Sequence, residues 1–198
     1  MYRAGDISLA YPLARGAGVM GAAIGGFLIV RDPFSPVGIS GILVVCTGIL
    51  LLAYPFRSHD QRAAVGWALI TGVCIALYSL VDDFGVTAMH PVTYICLETG
   101  VAAALLGIVG HRHYREVASA WKTHARTIWI IGLAAPATYI VILYTYNHGA
   151  VGYIVALRQF SVVIGAVLGI VVLKEKLRVW RALGIISIVL GVILIRYA

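Results

Sequence analysis

Long runs of apolar residues, parted by short polar breaks, take up almost the whole chain. They fall at roughly residues 11–30, 37–55, 63–81, 91–110, 127–146, 149–173 and 179–197. Each approaches the ~20 residues that an α-helix needs to cross the hydrocarbon core of a bilayer. Alternation with period 2 in blocks of ~10 residues, the mark of a membrane β-barrel, is absent. A helix satisfies its own backbone polar groups, so the pattern predicts an all-α, polytopic membrane bundle of seven transmembrane helices. Most loops are short, as at Asp32-Pro33-Phe34-Ser35-Pro36 and Asn147-His148-Gly149, and short loops predict antiparallel neighbours. The exception is 111–126, an amphipathic stretch with Tyr114 and Trp121, which reads as a cytoplasmic helix lying on the membrane surface. Asp82-Asp83 reads as a solvated loop at the outer end of the third span. Pro12 and Pro136 read as helix interruptions.

The pattern also repeats. Residues 2–54 and 146–197 each hold two apolar runs split by a polar tip. Gly21-x-x-x-Gly25 falls on Gly165-x-x-x-Gly169. After a slip of one residue, Asp32 falls on Glu175, Gly41 on Gly184, Gly48 on Gly191 and Tyr54 on Tyr197. An odd number of spans, five, separates the copies, so they are expected to lie in opposite orientations. Inverted repeats of this kind place a substrate site near the midplane at the repeat interface.

Composition agrees with a membrane protein: 61% of residues are hydrophobic, 12% are charged and mean hydropathy is +0.96. The 22 glycines suit close helix packing in lipid. Cys46, Cys74 and Cys96 all lie within apolar runs and read as small packing residues. The first apolar run lacks an Ala-x-Ala exit, so no cleavable signal peptide is expected. The net charge of +7 does not indicate nucleic acid, because the basic residues sit in the loops between spans. Eleven Lys and Arg residues fall on the face that carries residue 1, against Arg31 and Arg196 on the other. The bias predicts a cytoplasmic N-terminus and an outside, periplasmic C-terminus in a cell inner membrane. No catalytic constellation, cofactor motif or metal-ligand spacing is present; His111, His113 and His124 read as titratable interfacial residues in preference to a metal site.

Several segments resemble one transporter family. Ala156-Leu157-Arg158-Gln159-Phe160-Ser161-Val162-Val163, then Lys174-Glu175-Lys176-Leu177, then Gly184-x6-Gly191-Val192, resembles the C-terminal part of an EamA-type domain of the drug/metabolite transporter superfamily. Gly5-Asp6-Ile7-Ser8-Leu9-Ala10-Tyr11-Pro12-Leu13-Ala14-Arg15-Gly16 resembles the equivalent stretch of a first such domain. Ala76-Leu77-Tyr78-Ser79-Leu80-Val81-Asp82 resembles the opening of a second. The resemblance implies a relative of the ten-helix fold of two inverted five-helix repeats, here apparently without the first three helices. Residues 1–55 would be the two-helix end of the first repeat and 56–198 a complete second repeat. It implies carriage of small metabolites, amino acids or drugs, often coupled to protons. Two positions depart from the usual pattern. Arg158-Gln159 stands where Arg-Glu is usual, which removes a proton carrier, and Arg31-Asp32 stands where Gly-Glu is usual.

Charges inside apolar runs supply the candidate site. Arg15 lies a few residues into the first span and Arg158 near the middle of the sixth. A charge at the bilayer centre costs about 2.5–3.5 kcal/mol on insertion scales, so an intramembrane ionisable residue suggests function. The two arginines hold nearly equivalent places in the two copies and are candidates to bind an anionic group; snorkelling to the cytoplasmic surface is the other reading of Arg15. Glu98, eight residues into the fourth span, is a candidate for proton or substrate handling, or else a structural ion pair or protonated packing residue. Tyr11 and Tyr78 match family motif positions and complete the substrate-binding candidates. The expectation is a secondary transporter or exporter of small polar or anionic metabolites working by alternating access. It is not expected to be an enzyme, and its partners would be membrane lipid and a small-molecule substrate. A homodimer partner or completing helices remain candidates. A membrane scaffold or accessory subunit, or a truncated transporter inactive alone, is the alternative.

Overall fold

The computed structural model describes residues 7–53, 62–110, 114–171 and 179–198. Eight α-helices are found there: α1 (Ile7–Gly25), α2 (Pro36–Ala53), α3 (Arg62–Ala88), α4 (Pro91–Gly110), α5 (Tyr114–Tyr146), α6 (Val151–Leu157), α7 (Phe160–Val171) and α8 (Val179–Arg196). A π-helical turn, Gly26–Val30, continues α1. Among the described residues, six helical stretches are long and apolar enough to cross a membrane, with α6 and α7 forming one of them. The apolar part of α2, Pro36–Leu52, is shorter. Among the described residues the chain is thus a polytopic all-α membrane bundle, with six helical stretches of spanning length and a shorter apolar helix, α2, at the second of the seven runs.

By packing, the chain forms two units. One comprises residues 1–81 and 149–198, the other residues 82–148. The first unit gathers both copies of the repeat. Its central pair is α2 and α8, which run antiparallel and whose glycines let the backbones meet. A Cβ on Gly41 would lie 2.9 Å from the Gly191 carbonyl oxygen, and one on Gly191 would lie 2.7 Å from that of Gly41. Gly48 and Gly184 stand in the same reciprocal relation, each 2.8 Å from the other's carbonyl oxygen. Sequence repetition matches Gly41 with Gly184 and Gly48 with Gly191; spatial contact crosses those pairs, as a two-fold axis between inverted copies requires. Side chains on either helix would force the backbones apart and forfeit the dispersion contacts that hold membrane helices together.

The polar tip between α1 and α2 is clasped to the start of α6. Arg31 adopts the left-handed conformation, φ 63°, and ends the π turn with its N–H bonded to the Gly26 carbonyl. Asp32 then accepts a 2.8 Å hydrogen bond at Oδ2 from the Val151 backbone N–H. Ala150, the residue before α6, gives no side-chain cap, so a carboxylate from the other repeat caps this helix instead. The Ser35 N–H donates to the Tyr153 hydroxyl at 2.9 Å, and Phe34 meets the Tyr153 ring edge-on. Burial raises the Asp32 carboxyl above its ordinary range, and the Val151 N–H partly offsets that rise. The corresponding Glu175 tip, residues 54–61 and His111 and His113 lie outside the described residues.

Three local readings of the sequence change. Asp82 and Asp83 are not in a solvated loop. α3 continues to Ala88, and both aspartates are buried in its last third, 3% and 6% exposed. Pro12 and Pro136 lie inside α1 and α5, which continue through them. The surface segment joins the fifth span in one long helix with a break at His124 (φ −126°, ψ 22°), where the amphipathic part gives way to the apolar part.

Candidate functional site

The apolar path through the sixth span is interrupted at Arg158-Gln159, between α6 and α7. Here the hydrogen bonding tightens by one residue. Gln159 N–H bonds to the Ala156 carbonyl, Ser161 N–H to that of Arg158 and Val162 N–H to that of Gln159. In a regular helix the Gln159 N–H would reach Val155. Instead the Gln159 side chain donates from Nε2 to the Val155 carbonyl at 3.0 Å, replacing its own backbone at that acceptor. Ser161 Oγ likewise donates to the Arg158 carbonyl at 2.8 Å. Gln159 is 1% exposed, so this substitution keeps a backbone carbonyl from being buried unsatisfied. An ionised glutamate there could not donate.

The break turns Arg158 into a cavity of about 230 Å³ lined by Tyr11, Ala14 and Arg15 from α1, Thr71, Ile75 and Tyr78 from α3, and Arg158. The spacing explains the lining. Tyr11, Ala14 and Arg15 share one face of α1, and Thr71, Ile75 and Tyr78 share one face of α3, at intervals of three and four residues. The two helices lie close because Gly72 sits against the Ala14 carbonyl and the Ala17 methyl. α1 and α6 run antiparallel: Gly152 at the start of α6 meets Ala23 late in α1, while Arg158 and Arg15 share the cavity at the other end. The inverted repeat thereby brings its two intramembrane arginines together.

Both arginines are half-buried and each has a tyrosine against it. The Arg15 guanidinium lies 5.2 Å from the Tyr11 ring centroid, and that of Arg158 lies 5.9 Å from the Tyr78 centroid. Arg158 also donates from Nη2 to the Tyr78 hydroxyl at 3.4 Å. A tyrosine face attracts a cation through the ring quadrupole without neutralising it. Among the described residues that line the cavity, none is a carboxylate. Two fixed guanidinium groups with rigid forks of N–H donors suit an anionic group, above all a carboxylate or phosphonate. The space suits a small solute.

Four of the five residues singled out from sequence thus line one cavity: Arg15, Arg158, Tyr11 and Tyr78. Glu98 does not join them. It belongs to the second unit and is exposed on the surface of α4. Ala14, Thr71 and Ile75 were missed, although counting back from Tyr78 by three and by seven residues reaches both α3 positions. Gln159 as the stitch of the helix break was missed as well, because nothing in the sequence announces which acceptor its amide finds.

Comparison with known proteins decides the family. The chain matches the EamA-like transporter family over residues 62–197, more than half its length. It belongs to that family. No curated protein matches the chain. The EamA-like match runs from the start of α3 into the end of α8, so it includes Thr71, Ile75, Tyr78 and Arg158. Tyr11 and Arg15, which complete the cavity, lie ahead of the matched segment. The EamA-like assignment and the apolar helices together identify a multi-pass membrane protein of transporter type.

Proposed function

We propose that this chain is a secondary transporter of small anionic metabolites, working by alternating access, with the Arg15–Arg158 cavity as its binding site. The observation that carries the reading is the meeting of two arginines from inverted copies in one small cavity. A lipid-facing arginine would be costly, whereas a cavity-facing one gains the anion as partner. The helix break at Arg158-Gln159 supports movement, because a discontinuous span exposes backbone and side chains to the cavity and gives a natural hinge. The loop charges favour an inner membrane with the N-terminus cytoplasmic. The role is carriage, with no bond made or broken in the solute.

The test is flux in proteoliposomes containing the full chain, using a panel of small carboxylates and phosphonates with size-matched cations and neutral solutes as controls. Saturable flux of an anion is expected, reduced by roughly tenfold to a hundredfold in Arg158→Gln, since hydrogen bonds to charged groups contribute about 1.5–3 kcal/mol. Wild-type flux in a correctly inserted Arg158→Gln protein would overturn the site.

A further inference from the structure

The cavity leaves unused the most deeply buried acid in the described structure. Asp82 sits in the last third of α3, 3% exposed, and its two carboxyl oxygens are held from two other helices. Tyr94 of α4 donates to Oδ1 at 2.9 Å, and Tyr139 of α5 donates to Oδ2. The arrangement is built into the backbone. Gly85, one turn beyond Asp82, has no side chain where the Tyr94 ring lies; a Cβ there would be 2.1 Å from the ring. α4 and α5 have little other buried surface, 6% in each span. The Asp82 carboxyl thus ties α3, α4 and α5 together by hydrogen bonds within this unit.

We propose that Asp82 is a reversible proton-binding site, and that its protonation rewires the hydrogen bonds tying α4 and α5 to α3. The chemistry of the cage accommodates both states. As an anion, the carboxylate accepts from both tyrosines. When a proton from water binds Oδ2, the new O–H donates to the Tyr139 oxygen, and the Tyr139 proton must turn to another acceptor. The charge and the direction of one interhelical hydrogen bond change together, without breaking a covalent bond other than that of the transferred proton. Other titratable groups lie near this point: Tyr94 and Glu98 on α4 and Tyr139 and Tyr146 on α5, with Asp83 next to Asp82 along α3. Glu98 lies one turn beyond Tyr94 on the same helix and interacts electrostatically with Asp82. Glu98 was the sequence candidate for carrying a proton. The structure assigns that part to Asp82, which is enclosed and accepts a tyrosine hydrogen bond on each oxygen.

The inference goes beyond the anion cavity and does not depend on solute flux. The experiment is infrared difference spectroscopy of the full chain in lipid nanodiscs, taken between alkaline and mildly acidic buffer. A protonated-carboxyl C=O band should appear on acidification, shift in heavy water and shift again when the protein carries isotope-labelled aspartate. It should be lost in Asp82→Asn and kept in Asp83→Asn and Glu98→Gln. Tyr139→Phe should move its midpoint by about one pH unit, the equivalent of one hydrogen bond to a charged group. If Asp82→Asn fails to fold, the labelled-aspartate arm is read in the Asp32→Asn/Asp83→Asn double variant, where a shifting band excludes the other two described aspartates as its source. A band unmoved by labelled aspartate, a band of wild-type size in folded Asp82→Asn, or no titrating band at all would overturn the proposal. Loss of anion flux with the band intact would instead count against the transport reading alone.

Discussion

The α2–α8 pair and the α4–α5 pair are built from similar residues and packed in different ways. In α2 and α8, Gly41, Gly48, Gly184 and Gly191 press against the opposite backbone, with a prospective Cβ under 3 Å from a carbonyl oxygen in every case. In α4, Gly100, Gly107 and Gly110 meet nothing within 4 Å, and neither does Gly132 of α5. Lipid is as apolar as leucine, so hydrophobicity alone does not drive membrane helices together; close fit and hydrogen bonds do. The first pair uses fit. The second relies on polar ties at one end, through Asp82, Tyr94 and Tyr139. Glycine content alone therefore says little about where a membrane helix is held.

The contrast can be broken most directly by filling both kinds of glycine. Gly48→Leu should lose roughly 3 kcal/mol or fail to assemble, by overpacking against a backbone that cannot move aside. Gly107→Leu should change stability by less than about 0.5 kcal/mol. Thermal melting of the purified chain in one detergent measures both, and equal losses would erase the distinction. Next in size is Arg31→Gly. A left-handed residue other than glycine costs about 1–2 kcal/mol, so relief at the clasp should raise stability by that order. Tyr153→Phe removes the acceptor of the Ser35 N–H and should cost about 1 kcal/mol by the same measurement. Together these two changes show how far the first unit depends on the clasp as well as on its glycines.

The smallest effect concerns Asp32 and appears mainly as a pH slope. Burial raises its carboxyl in the folded chain above the ordinary value of 3.8. The folded state then binds the proton more readily than the unfolded state. The stability linked to this group is fully present below that ordinary value and is lost as pH rises through the raised one. Asp32→Asn keeps an oxygen acceptor for the Val151 N–H and carries no charge. It should melt close to wild type in acid and flatten the decline between acid and neutral pH. An unchanged slope would show that Asp32 does not titrate differently in the folded chain.

Some of this was legible in the residues. Run length gave the spans, because backbone polar groups in lipid leave only a helix of about 20 residues as a solution. The glycine repeat gave the inverted copies, and intramembrane charge gave Arg15 and Arg158, since burying a charge needs a reason. Asp82 was misread because a pair of aspartates after an apolar run resembles a helix end. Its partners, Tyr94 and Tyr139, come from other helices and leave no local trace. Glu98 is exposed on α4 within its own unit and is not among the residues that line the cavity.

The sequence by itself determined class, the apolar runs, the repeat and the charged residues that lipid would reject, because these follow from each segment separately. Only the tertiary structure decided which of those residues meet. It brought Arg15 to Arg158 across antiparallel copies, used Gln159 to stitch the break beside them and enclosed Asp82 between two tyrosines. Those outcomes depend on side-chain contacts between segments far apart in the chain, and the energy of such contacts is written in geometry that no single segment contains.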